Sequence, residues 1–422
     1  MNKLFQIFEI PELRKKITIV LGLLVVYRAF AAIPIPGIDV SRLAGFLGSN
    51  DLLGFFNIFS GGALSNLSIV MLGVGPYITA SIIMQLLTMI FPSLKEYYYE
   101  QGGEGRAKFN RITRYLTVPL AALQGYGFLN LLIAQQVIIP MGLFDAFRNV
   151  IFITTGSVLL VWLGELISEQ KLGNGISLLI FAGIVSRLPS VIKGIVVSYN
   201  PALLPTYVSF VVLSLVVIAG VVFINEGERK VPVSYSKRVR GNKMYGGVST
   251  YLPLKVNQAG VIPIIFAISL LLFPQFFAQI SAFISQDFSI RLTEIVNSVM
   301  SNQYIYMILY FVLVVLFTYF YTAVTFDPQE ISKNLQRSGG FIPGIRPGAP
   351  TGDFLAKIIN RTTLFGALFL GIVAILPNIT QIVTGIQFLT LGGTALLIVV
   401  AVAIDTMRQI ESQMTLREYE GF

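Results

Sequence analysis

From Ala202 to Ile224 the chain reads ALLPTYVSFVVLSLVVIAGVVFI without one charged side chain. A run of that length matches the hydrocarbon core of a bilayer, which takes about 20 apolar residues in helical form. Inside lipid no water satisfies a bare peptide group, so such a run closes its own hydrogen bonds as an α-helix. Nine further runs read the same way: Ile17 to Ile33, Ser68 to Phe91, Ile112 to Ile139, Arg148 to Ser168, Asn174 to Val196, Gln258 to Ala278, Tyr304 to Thr325, Thr362 to Leu376 and Phe388 to Ile404. The expectation is an all-α polytopic membrane protein with ten transmembrane helices. Composition agrees, since 55% of residues are hydrophobic, only 12% are charged, and mean hydropathy is +0.76. The first run follows Arg14, Lys15 and Lys16, with no small-residue cleavage pattern behind it, and reads as part of the mature protein.

The chain has no cysteine and no histidine. That excludes disulfides, thiolate nucleophiles, imidazole bases and His-ligated metals, and with them most membrane enzymes. Neither G-x-S-x-G nor a pair of mid-span aspartates occurs, so the chain reads as no enzyme and as needing no cofactor. The segment GGEGRAK (Gly102 to Lys108) lacks the spacing and the Ser/Thr of a phosphate-binding loop.

Charge placement orients the chain. If the N-terminus is cytoplasmic, the inner side collects most of the basic residues, among them Lys95, Arg106, Lys108, Arg111, Arg114, Lys171, Arg408 and Arg417. The outer side keeps Arg28, Arg42, Arg148, Arg187, Lys193 and Arg291. By the positive-inside rule both termini are cytoplasmic. Two inner loops, 225–257 and 326–361, are far longer than a connection requires. The first carries Arg229, Lys230, Lys237, Arg238 and Arg240, and its alternating Val231, Val233 and Tyr235 with a Gly-Asn turn predicts a protruding hairpin. The second carries Arg346 within GGFIPGIRPGAPTG. The charges alone fit ordinary attraction to anionic membrane lipids. Loop length and Pro/Gly-stiffened tips point further, to docking of a large acidic or nucleic-acid-containing partner.

The apolar runs repeat. GVGPYITA (Gly73 to Ala80) matches GVIPIIFA (Gly260 to Ala267), and GISLLIF (Gly175 to Phe181) matches GTALLIV (Gly393 to Val399), each pair five spans apart and opposite in direction. The reading is an inverted repeat of two halves, 1–200 and 201–422, around a central pathway. A solute transporter, the alternative on such a repeat, should carry ionisable groups on that pathway. The repeated positions are aliphatic instead: Val74, Ile78, Ile176, Ile180, Ile265 and Ile398 form either a girdle at the midplane or ordinary lipid-facing and packing positions.

The motifs FNIFSGGALS, PYITASIIMQLLT, WLGE, GNGIS, LPLKVNQAGVIP and FIPGIRPG occur in this order across essentially the whole chain. In these it resembles the SecY family of protein-conducting channels; Val74, where isoleucine is common, and a short C-terminal tail are the departures. The resemblance implies a pore ring at the six aliphatic positions and a plug half-helix at about 53–67, including Phe59, Ser60, Gly61, Gly62, Ala63 and Leu64. On the residues alone, that stretch is equally a re-entrant or interfacial connection. The resemblance also implies a lateral gate with Gln85, Gln124 and Asn257 at its polar positions, where amides in apolar surroundings favour one another. Local helix bonds serve those amides as well. The implied partners are SecE and SecG as bracing subunits, the SecA motor ATPase or a ribosome on the loops with Arg346 serving the motor, and secretory preproteins with their signal sequences as cargo.

Overall fold

The computed structural model describes residues 10–36, 57, 60–99, 102–134, 136–197, 201, 204–235, 238–240, 243–245, 249–281, 285–384 and 393–420. Phe59, Lys237 and residues 53–56 and 58 lie outside them. The fold is overwhelmingly helical. In chain order α1 is Pro11–Ala31, α2 Gly75–Ile90, α3 Pro92–Tyr99, α4 Gly102–Ala134, α5 Leu143–Glu169, α6 Gly175–Val185, α7 Leu188–Val197 and α8 Leu204–Glu226. Four strands follow: β1 Glu228–Tyr235, β2 Arg238–Arg240, β3 Lys243–Tyr245 and β4 Ser249–Lys255. Then come α9 Ile262–Ile280, α10 Gln286–Ser301, α11 Gln303–Thr325, α12 Pro328–Arg337, β5 Gly340–Phe341, α13 Ala349–Thr384 and α14 Gly393–Glu420.

Among the described residues six helices are long and apolar enough to cross a membrane, those at 102–133, 143–169, 175–194, 204–226, 303–337 and 349–382; 75–90 and 262–275 are shorter apolar helices. The second run expected from Ser68 starts as a helix only at Gly75. Gly73 takes a left-handed φ of 57°, and Pro76 fills the first helical turn, where a missing N–H costs nothing. The fifth run breaks after Val185, just ahead of Pro189, which has no N–H to continue the ladder. Two helices outrun their apolar segments at their N-terminal ends: α4 begins ten residues before Ile112, and α13 well before Thr362. The Glu104–Lys108 ion pair (3.2 Å) lies along the α4 extension, and Arg114–Glu165 (3.0 Å) joins α4 to α5 just beyond it.

Helix α9 packs on α2, α4 and α11; α14 packs on α6, α8 and α13; α1 packs on α5 and α6. One continuous hydrophobic cluster runs through these contacts. Helix α8 buries only Val217 and Val221, while Val208, Val211, Val212, Leu215, Val216 and Phe223 are exposed. In water such a face would associate; in a bilayer it is the surface that lipid covers.

Candidate functional site

Between α1 and α2 the chain turns back on itself. Pro34 and Ser68 form an antiparallel bridge, with Ile35 N–H donating to the Leu67 carbonyl (2.8 Å) and Ile69 N–H to the Ile33 carbonyl (3.1 Å). Asn57 is helical, and Ser60 to Leu67 follow as tight turns. Gly61 and Gly62 sit at φ 66° and 82°, a region closed to most side chains. The stretch is internally tied: Gly62 N–H donates to the Asn57 carbonyl (2.8 Å), Ser65 N–H to Asn57 Oδ1 (3.0 Å), and Ser68 N–H to the Ala63 carbonyl (2.9 Å). Ser60, Ala63 and Leu64 are all but completely buried.

Glycines let this stretch press against helices. A Cβ on Gly61 would stand 2.7 Å from the Gly183 Cα of α6, and one on Gly156 of α5 would collide with the Ile69 carbonyl oxygen. Two side chains of α1 grip the same turn. Tyr27 Oη donates to the Ser60 carbonyl (3.0 Å) and Arg28 Nη1 to the Gly61 carbonyl (2.6 Å). In the sequence Arg28 stands out only as an outer charge. A lone arginine closing an apolar run was the signal, because ionisable groups at membrane depth are rarely without a partner.

The six aliphatic positions fall on four helices, α2, α6, α9 and α14, all within the one hydrophobic cluster. Val74 caps α2 and its carbonyl accepts from Ile78 N–H (3.1 Å), so the two stack one turn apart. Val74, Ile78, Ile180, Ile265 and Ile398 are buried. Ile176 is half-buried, with Cδ1 2.6 Å from where a Cβ on Gly164 would stand, so its tip leans onto α5. Helices carrying matched repeats touch each other, α2 on α9 and α6 on α14. Their starts also match: Gly73 and Gly260 adopt φ 57° and 61°, and a helix begins two residues after each.

The three amides expected to pair with one another do not. Gln124 Nε2 donates to Thr79 Oγ1 of α2 (3.3 Å), while Asn257 Nδ2 donates to Asn225 Oδ1 (2.8 Å) and to the Gly260 carbonyl (3.1 Å). Gln85 Oε1 and Asn257 Oδ1 are buried with no hydrogen-bond partner among the described residues. The reason is reach. Gln124 meets the nearest hydroxyl across the α2–α4 contact, and Asn257 is engaged at the end of α8. Arg408 of α14 secures that end, donating through Nε to Glu226 Oε1 (3.1 Å) and through Nη2 to the Asn225 carbonyl (3.3 Å). The bond to Glu226 holds the Arg408 guanidinium above its ordinary pKa, and the same bond holds the Glu226 carboxyl below its own.

The two long loops build one platform. β1 pairs antiparallel with β4, from Glu228 opposite Lys255 to Ser234 opposite Ser249. β1 also pairs with β5 of the other loop, Ser234 opposite Phe341 and Tyr235 opposite Gly340, giving the order β4–β1–β5. Val231, Val233 and Leu254 face Ile342, Leu355, Ile358 and Ile359 in a second hydrophobic cluster. Arg229, Lys230 and Arg346 stay exposed; Arg238 and Arg240 lie on β2, which pairs with β3 beyond the main sheet. The Arg346 turn is stiff, its carbonyl accepting from Thr351 Oγ1 (2.9 Å) and the Gly348 carbonyl from Ser332 Oγ (2.6 Å).

Helices packed around an aliphatic centre, a buried glycine-jointed insert beside it and a folded platform at one end define a polytopic helical membrane channel. The chain belongs to the SecY family: the model of that family matches residues 68–407. It is similar to the protein translocase subunit SecY of Corynebacterium glutamicum, 43% identical with 100% of this chain and 99% of that one covered. It is also 42% identical to the subunits of that name from Streptomyces coelicolor, with 98% of each chain covered, and Mycobacterium tuberculosis, with 97% of each covered. Its fold resembles a solved structure described as a protein conducting channel, TM-score 0.63 at 20% identity over 94% of this chain and 92% of that one. A second, described as Sec61 in the canine ribosome-channel complex from the endoplasmic reticulum, gives TM-score 0.62 at 20% identity over the same shares of the two chains. Nothing in these relatives supports the solute-transporter alternative.

Proposed function

We propose that this chain is the channel-forming subunit of a Sec translocon in the bacterial cytoplasmic membrane. It passes unfolded secretory polypeptides across the bilayer and releases apolar helices sideways into lipid. The observation that carries this reading is identity of 42% or more, over nearly the whole length, to proteins named protein translocase subunit SecY. In this reading ten spans form the halves 1–200 and 201–422 with both termini cytoplasmic. Val74, Ile78, Ile176, Ile180, Ile265 and Ile398 pinch the pathway. A narrow aliphatic ring dewets and offers an ion nothing in place of its hydration shell, yet it forms no directional bond with a sliding polypeptide. Residues 53–67 plug the outer side.

The lateral gate lies where α9 meets α2 and α4, a contact favoured by the apolar faces there, while the Gln124–Thr79 bond ties α2 to α4 on one side of it. Energy comes from partners. SecA or a ribosome docks on the β1–β4 hairpin through Arg229, Lys230, Lys237, Arg238 and Arg240, and on the Arg346 turn, while SecE and SecG brace the helices. The test is reconstitution in vesicles with SecE, SecA and ATP. A preprotein should become protease-protected inside the vesicles only when this chain is present. Protection at the level of empty vesicles would sink the reading.

A further inference from the structure

We propose that the first membrane helix latches the plug, with Tyr27 and Arg28 as positioning residues of the seal; this rests on reading residues 53–67 as the plug. Two neighbouring side chains at the end of α1 take two neighbouring carbonyls, those of Ser60 and Gly61, at 3.0 and 2.6 Å. Successive helix residues point about 100° apart, so both can reach one turn only if that turn wraps across the helix end. The left-handed φ values of Gly61 and Gly62 let it do so. Tyr27 is 2% exposed and Ser60 1%, which leaves this bond closed to water. The guanidinium bond is charge-assisted and stronger than a neutral one.

Behind the turn is a seat. The Gly61 backbone lies on Gly183 of α6, and a Cβ on Gly62 would rest 3.6 Å from Cδ of Arg187. The bonds within 57–68 tie the rest of the insert to the gripped turn, so the two hydrogen bonds to α1 act on all of it. Displacing the plug therefore requires separating it from α1. A partner that tilts α1 releases the seal without touching the aliphatic ring.

The test is single-channel recording of the complete reconstituted translocon in planar bilayers, with no motor and no preprotein. Tyr27→Phe keeps the ring's packing and removes only the hydroxyl; it should raise the open fraction roughly five-fold, the equivalent of one neutral hydrogen bond. Arg28→Met keeps the aliphatic stem and should raise it roughly tenfold or more. Arg28→Lys, still able to reach one carbonyl, should recover part of the tightness. Gly183→Ala blocks the seat and should leak with both latch residues intact. Deleting residues 60–65 serves as the reference. If the deletion leaks while Tyr27→Phe and Arg28→Met stay as tight as the parent, or if Arg28→Lys leaks as much as Arg28→Met, α1 is not the latch although the plug stands. If the deletion itself stays tight, the plug reading fails and the latch with it.

Discussion

In the proposed channel, single aliphatic side chains stop ions by offering water nothing to bind. Replacing Ile180 and Ile398 together by Ser supplies hydroxyls at two positions that are each 1% exposed. The double variant should hydrate the constriction and conduct small ions in planar bilayers, where the parent is closed. Unchanged conductance in a correctly folded double variant would take these residues out of the ring. Residue types at these positions were legible in the sequence, because the repeat places Ile78 against Ile265 and Ile180 against Ile398. Partners were less so. An amide announces that it needs a partner, not which one, and Gln124 and Asn257 settled on Thr79 and Asn225, whose own spacing in the sequence carried no sign of the pairing. The grip of Tyr27 and Arg28 on the Ser60–Gly61 turn was hidden for the same reason.

At the scale of elements, the β4–β1–β5 platform separates the residues that fold it from those that would meet the proposed partner. Val233 is buried in the sheet's own core, whereas Arg346 is exposed on a stiff turn. Val233→Asp puts an unpaired charge among Ile342, Leu355 and Ile358. It should cost several kcal/mol and make loop 236–248 sensitive to limited proteolysis. Arg346→Glu should leave proteolysis, expression and assembly unchanged, yet collapse SecA-driven export, because reversing an exposed interfacial charge acts on the partner alone. Export at the parent rate by the Arg346 variant would reduce that residue to a solvated loop charge. The hairpin was legible because Val231, Val233 and Tyr235 alternate with polar neighbours. β5 was not, since two residues carry no periodicity; its pairing depends on the turn at Gly339, φ 74°, which sets the chain beside β1. Helix starts at Gly75 and Ala349 also escaped, as hydropathy marks where lipid begins and not where hydrogen bonding does.

For the whole molecule, the contact of α2 with α9 joins segments of the two proposed halves, and a chain without cysteine offers a clean background for testing it. A cysteine pair placed across that contact should block export when oxidised and restore it when reduced. Normal export through the oxidised protein would exclude a lateral opening there. The fold class was legible because lipid imposes long uniform runs; the platform was not, because it forms from two loops that the sequence presents separately. That joining sets a schedule for biosynthesis. β1 and β4 emerge from the ribosome early, but Tyr235 has to wait for Gly340, and α9 and α11 are made in between. At ~5–20 residues per second the wait is roughly 5–20 s. If the platform is the proposed docking site, a half-made channel thus lacks a finished landing surface and cannot recruit a motor before its last membrane helices are on their way.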